Sequence, residues 1–134
     1  MAKHFTLRTD GASLGNPGHA AIGAVLEDES GRALARISRR IGVTTNNRAE
    51  YLALIAGLKE ALRLGAETLD IKLDSQLIVR QLNGRYRSKE LKALHQETAQ
   101  LLGKFRSCTI KHVPREQNRL ADALAKRALR RAGD

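Results

Sequence analysis

Asp10, Glu50, Asp74 and Asp122 are the side chains of this sequence whose settings ask for a chemical explanation. Asp10 closes an alternating run, with Phe5, Leu7 and Thr9 in one phase and His4, Thr6, Arg8 and Asp10 in the other. Asp74 closes a second such run, TLDIKLD from Thr68, also in the polar phase. Glu50 heads the stripe of a helical pattern in which Leu54, Leu58 and Leu62 follow at four-residue steps. A carboxylate on that side costs several kcal/mol of desolvation unless something satisfies it. Asp122 stands in NRLADALAKRAL, where small apolar neighbours let a helix approach another backbone closely. Each acid alone has a plainer explanation. Asp10 and Asp74 can cap the next turn or helix, Glu50 suits a helix N-terminus, and Asp122 can pair with Lys126 four residues on. Together, clustered acids repel unless a cation sits among them. Oxygen ligands without His or Cys point to Mg²⁺, with Mn²⁺ as a substitute, rather than Zn²⁺. Two such ions about 4 Å apart can activate a water and hold the leaving oxygen of a phosphodiester.

Pattern and punctuation assign these acids to definite strands and helices. Strands are predicted over His4–Asp10, Ala20–Glu27 and Arg32–Ile41, the last two forming a hairpin in which Gly31 supplies a positive φ. Asn46–Leu64 is the clearest helix, capped by Asn46 or Asn47 and stopped by Gly65. A strand over Thr68–Asp74 comes next. Helices over Ser75–Asn83 and Lys89–Leu102 end at Gly84 and Gly103. A strand over Arg106–Val113, broken by Pro114, precedes a basic helix over Asn118–Arg131. The order βββαβααβα implies an α/β fold: a five-stranded mixed sheet with helices on its faces, in one domain over residues 1–134. In such sheets ligands gather at the carboxyl ends of parallel strands, where Asp10 and Asp74 stand.

Charge supplies the second half of the reading. Lys and Arg number 24 against 14 for Asp and Glu, a formal net charge of +10, so the expected partner is a polyanion, nucleic acid first. A basic surface to hold a backbone and an acidic centre to cut it is the charge layout of a metal-dependent nuclease. No segment pairs a long apolar face with cations and aromatic anchors, so a membrane partner is not expected. Cys108 is the one cysteine, which excludes an internal disulfide and fits a reducing compartment. The N-terminal MAKHFTLRTDG has no apolar block of signal-peptide length, and a cytoplasmic protein is expected. His4, His19, His95 and His112 are scattered and read as surface or structural residues.

TDGASLGNPG, TTNNRAEYLAL, LDSQLIVRQL and VPREQNRLADALA resemble, in order and spacing, the four motif blocks of ribonuclease H type 1, over nearly the whole chain. The resemblance implies the ribonuclease H-like fold and hydrolysis of the RNA strand of RNA/DNA hybrids, leaving 5′-phosphate and 3′-hydroxyl ends; a monomer is expected. It makes Asp10, Glu50, Asp74 and Asp122 the holders of two metal ions. Ser13, Asn16, Asn46, Asn47 and Gln76 match positions that read ribose 2′-hydroxyls. Gly11, with Gly15 and Gly18, is expected to leave room for the nucleic-acid backbone. Thr45 matches a pocket for a phosphate of the DNA strand, aided by the helix N-terminus.

The chain departs from better-known members in three places. A long basic protrusion between the middle helices is missing, since Asn83 to Leu91 joins them directly. This places the chain with the compact subgroup and passes the grip to Lys126–Arg131. The loop from Pro114 to Asp122 has no His, so Arg115 or Glu116 is expected to assist turnover without binding metal. Val43 stands where some relatives have an Arg in the phosphate pocket, and some compact relatives also cut double-stranded RNA. These departures leave an alternative: a module that binds hybrid or double-stranded RNA with little catalysis.

Overall fold

The computed structural model describes residues 3–84 and 89–132, with side chains through residue 130. The expected direct joint from Asn83 to Leu91 therefore lies partly outside the described residues. So does the last residue of the Lys126–Arg131 segment, as far as its side chain is concerned.

Three antiparallel strands come first: β1 (His4–Ser13), β2 (Gly18–Glu27) and β3 (Ala33–Thr44). The chain then continues through α1 (Asn46–Arg63), β4 (Thr68–Leu73), α2 (Gln76–Asn83), α3 (Lys92–Leu102), β5 (Ser107–His112) and α4 (Arg119–Ala132). A single turn of 3-10 helix, Arg115–Gln117, precedes α4. The sheet order is β3-β2-β1-β4-β5, with β4 parallel to both β1 and β5. Order, type and mixed sheet agree with the sequence reading.

The core lies between the sheet and the helices α1 and α3. Leu7, Leu26, Leu69 and Ile71 from the strands meet Leu54 and Leu58 from α1, all nearly inaccessible to solvent. The other face carries α4 against β2 and β1. Gly23 makes that contact possible: a Cβ there would stand 2.1 Å from the Ala121 carbonyl oxygen and 2.6 Å from the Ala125 nitrogen. Ala121 and Ala125 are fully buried, as the small-residue pattern around Asp122 implies.

Several boundaries differ from expectation, the two strand ends because a distant partner keeps pairing with them. β1 runs three residues past Asp10 to Ser13, because β2 keeps pairing with it as far as Ser13–Ala20. β3 likewise runs on to Thr44, still paired with β2 at Gly18. The α1 cap is Thr45, whose hydroxyl accepts from the Arg48 amide, and not Asn46 or Asn47. α3 begins at Lys92 rather than Lys89, with no side-chain cap, and α4 begins after the 3-10 turn. Gly31 does take a positive φ of 86° in the β2–β3 hairpin.

Candidate active site

The parallel β1–β4 ladder ends at the pair Arg8–Lys72. Two residues further on stand Asp10 and Asp74, so both carboxylates emerge beyond the last hydrogen-bonded rung. Asp74 has no capping duty, because Ser75 caps α2 through its hydroxyl at 3.3 Å from the Ile78 amide. Glu50 arrives from the first turns of α1. Its Oε1 accepts from the Gly11 amide at 3.0 Å, and its Oε2 is buried with no hydrogen-bond partner.

Asp10, Glu50 and Asp74 each offer a carboxylate oxygen, and these atoms lie within 4.8 Å of one another. Asp122 is not part of that tight group. It lines the same cleft, is close enough to Asp10 for the two carboxyl groups to share a hydrogen bond, and pairs with Lys126 at 3.1 Å. The structure therefore gathers three acids closely and sets the fourth at the margin with a cation of its own.

The electrostatics are those of carboxylates crowded together and shielded from water. Burial pushes the Asp10 carboxyl up to about 10, reinforced by Glu50, Asp122 and Asp74. Burial also raises Glu50, to about 7, against the pull of the neighbouring Asp10 carboxyl and of the Gly11 amide. For Asp122 burial pulls upward too, but the hydrogen bond with Asp10 and the Lys126 ammonium outweigh it and leave the group below its ordinary value. An orphaned, buried carboxylate oxygen beside two further carboxylates is what a hard divalent cation would satisfy. The donor set fits Mg²⁺ or Mn²⁺.

The cleft encloses about 360 Å³. Beyond the four acids, Gly11, Ser13, Asn46, Asn47 and Arg115 line it, as expected from sequence. Asn16, Thr45, Gln76 and Glu116 do not reach its wall. Asn16 acts one step back: its Oδ1 accepts from the Asn46 amide at 3.0 Å, while Ser13 Oγ meets Asn46 Oδ1 at 3.0 Å. The β1–β2 loop is thereby fastened to the start of α1.

The glycines also have a packing role. A Cβ on Gly11 would lie 2.3 Å from the Ala49 carbonyl carbon, so its bare backbone admits α1 on one side while it lines the cleft on another. Gly15 and Gly18 leave room for each other's turn, with 2.5 Å from a Gly18 Cβ to the Gly15 nitrogen.

Two residues with no assigned part in the sequence reading hold the site's frame. Asn118 is fully buried, and its Nδ2 donates to the Thr9 carbonyl at 2.8 Å, tying the start of α4 to the strand that carries Asp10. Arg8 donates from Nε to Glu27 at 2.9 Å and from Nη1 to the Gln117 carbonyl at 3.0 Å. An Asn directly before a helix was the available signal for the first; nothing in the pattern pointed to the second.

Comparison with known proteins places this geometry. A family profile described as "Reverse transcriptase-like" matches residues 8–128. Ribonuclease HI of Halobacterium salinarum is 44% identical over 122 residues, covering 90% of this chain and 61% of the relative. The chain thus spans about three fifths of that protein's length. The crystal structure of RNase H1 from the same archaeon superposes with a TM-score of 0.88 at 42% identity, covering 96% of this chain and 98% of that one. LC11-RNase H1, isolated from compost and crystallised with an RNA/DNA hybrid, gives a TM-score of 0.91 at 36% identity, covering 97% and 99%. Sheet order, helix placement and carboxylates over the central parallel pair define a ribonuclease H-like domain. Within that class, the chain belongs to the ribonuclease H type 1 family.

Proposed function

We propose that this chain is a divalent-metal-dependent endoribonuclease that cuts the RNA strand of RNA/DNA hybrids, leaving 5′-phosphate and 3′-hydroxyl ends. The observation that carries the reading is the cluster of Asp10, Glu50 and Asp74 with the buried, unpartnered Oε2 of Glu50. Family membership supports it, as does the hybrid bound to LC11-RNase H1 at 36% identity. Asp10, Glu50 and Asp74, with Asp122 at the margin, would hold two divalent ions. Bound there, such ions supply charge for the scissile phosphate, an activated water and a seat for the leaving oxygen.

The protein's own part is placement. Gly11 fixes the Glu50 carboxylate through its amide. Ser13, Asn46 and Asn47 present donors and acceptors on the cleft wall, suited to the 2′-hydroxyls that mark an RNA strand. Asn16 and Thr45 hold the loop and helix start behind them. Gln76 sits at the opening of α2, next to Ser75 on the wall. Arg115 lines the cleft, where its charge pulls against the burial that raises Glu50 and adds to the contacts that lower Asp122, and its proposed part is to steady a departing phosphate.

The test is cleavage of labelled hybrid, double-stranded RNA, double-stranded DNA and DNA with one ribonucleotide, with and without Mg²⁺. Hybrid cleavage that needs Mg²⁺ and disappears in Asp10→Asn is the expected result. Tight hybrid binding with no cleavage in Mg²⁺ or Mn²⁺ would replace the enzyme reading with that of a binding module.

A further inference from the structure

A second concavity, about 430 Å³, lies between the edge strand β3 and the far half of α1. Its charged lining is Arg36 and Arg39 from β3, and Lys59, Glu60 and Arg63 from α1. Arg39, Lys59 and Arg63 thus face one carboxylate, while Arg36 alternates onto the other face of the sheet with Ser38, whose hydroxyl donates to the Leu124 carbonyl of α4. That carboxylate is already engaged, because Arg63 forms a two-pronged hydrogen bond with Glu60. Lys59 reaches Glu97 only at 4.0 Å, with 64% of its side chain exposed. Arg36 and Arg39 are exposed and take part in no ion pair among the described residues.

The groove has a second source of donors. β3 pairs only with β2, so alternate backbone N–H groups along its other edge face outward beside these guanidinium groups. Guanidinium forks and free amides are the donor set that phosphate oxygens accept. Lys59 and Arg63 stand nine and thirteen residues beyond Glu50 on the same helix. At a rise of about 1.5 Å per residue, that is roughly 14–20 Å from the acids along the axis.

We propose that the β3–α1 groove is a second nucleic-acid contact, holding a phosphodiester backbone outside the acidic cleft. It rests on the reading of the chain as a nucleic-acid enzyme. The backbone can come from the same hybrid where it runs beyond the cleft, or from a second duplex. Either way, the groove adds affinity without touching the bond that is cut.

The experiment uses the full chain in EDTA, with labelled hybrids of 12 and 40 base pairs, across a salt series. Unlabelled 40-base-pair DNA duplex is added to the 12-base-pair complex to detect a second bound molecule. The variants are Arg39→Glu/Lys59→Glu, called the glutamate variant, and the conservative Arg39→Lys/Lys59→Arg, called the lysine variant. Wild type should bind the long hybrid more tightly than the short one, or form a ternary complex with the added duplex. The glutamate variant should lose that advantage, about tenfold at 0.1 M salt, with the salt slope smaller by about 2. The lysine variant should keep most of it. Mg²⁺-dependent cleavage of the 12-mer should stay within twofold in all three, which also shows that the variants fold. Equal weakening on both lengths, or an undiminished long-hybrid or ternary advantage in the glutamate variant, overturns the proposal. Absence of 12-mer cleavage by wild type would instead count against the proposed activity, since the length dependence is read in EDTA.

Discussion

Asp10 stands directly across the β1–β2 ladder from Gly23, and Gly23 is where the α4 backbone rests on the sheet. Opposite residues in an antiparallel pair point to the same face. The missing side chain at one position therefore lets the helix that carries Asp122 settle beside the other. The Gly23→Ala substitution should force α4 outward, because the added methyl would meet backbone atoms at 2.1 and 2.6 Å. Overpacking of this kind costs about 1–3 kcal/mol. Misplacement of Asp122 by about 1 Å should lower cleavage roughly a hundredfold. Thermal unfolding and hybrid cleavage measured on one preparation check both; an unchanged Tm and rate would mean that α4 sits further from β2 than described.

The raised Asp10 carboxyl makes metal-free stability depend on pH. An acid whose folded pKa lies above its unfolded value binds more protons when folded. Stability is then lost as pH climbs from about 4, the ordinary Asp value, toward the folded value of about 10. Asp10→Asn removes that penalty. In EDTA at pH 8 the variant should be more stable than wild type by on the order of 2 kcal/mol, and the gap should close near pH 4. Mg²⁺ should raise the Tm of wild type at pH 8 and leave the variant nearly unmoved, while the variant loses cleavage. A variant less stable than wild type at pH 8 in EDTA would mean that Asp10 is not held at such a cost.

The order of elements was legible because each carries its own local signal. Alternation marks the strands, four-residue steps mark α1, and Gly65, Gly84 and Gly103 follow the helices that they stop. The acids were legible because burial and charge conflict at Glu50 in a way that no helix needs. Anything settled by a distant partner could not be read. TTNN offers several side chains able to cap α1, and Thr45 takes the role while Asn46 is occupied by Asn16 and Ser13 across the loop. Gly11 was legible as bare backbone beside Asp10, but the close approach of Ala49 from another element was not. Asp122 looked like either an active-site acid or a partner for Lys126, and its carboxylate makes both contacts at once.

Arg115 and Glu116 were equal candidates for assisting turnover, and their positions separate them. Arg115 lines the cleft and bears on two of its acids, whereas Glu116 is exposed and outside the lining. Arg115→Ala should reduce kcat about tenfold or more with a smaller change in KM, the signature of a contact that matters after binding. Glu116→Ala should stay within twofold on both. Steady-state cleavage of one defined hybrid settles it, and wild-type kcat in Arg115→Ala would remove this residue from the proposed mechanism.

Arg8 and Asn118 brace the C-terminal end of the turn that presents Arg115. The Arg8 guanidinium spans from Glu27 on β2 to the Gln117 carbonyl, and Asn118 fastens the next residue to Thr9. Asn118 is the costlier to lose. Its amide is buried, so Asn118→Ala leaves the Thr9 carbonyl without its donor, and Asn118→Asp sets an acceptor against it. Losses of about 1–3 kcal/mol for Ala, and more for Asp, are expected in chemical denaturation. Arg8→Met should cost less in stability, because the Arg8–Glu27 pair is partly exposed, with 24% and 22% of the two side chains accessible. Its effect should appear in turnover, through a looser Arg115. A double-mutant cycle isolates that route: Arg8→Met should slow wild type severalfold and do little more in an Arg115→Ala background. Fully multiplicative losses would mean that Arg8 acts on the site by a path that bypasses Arg115.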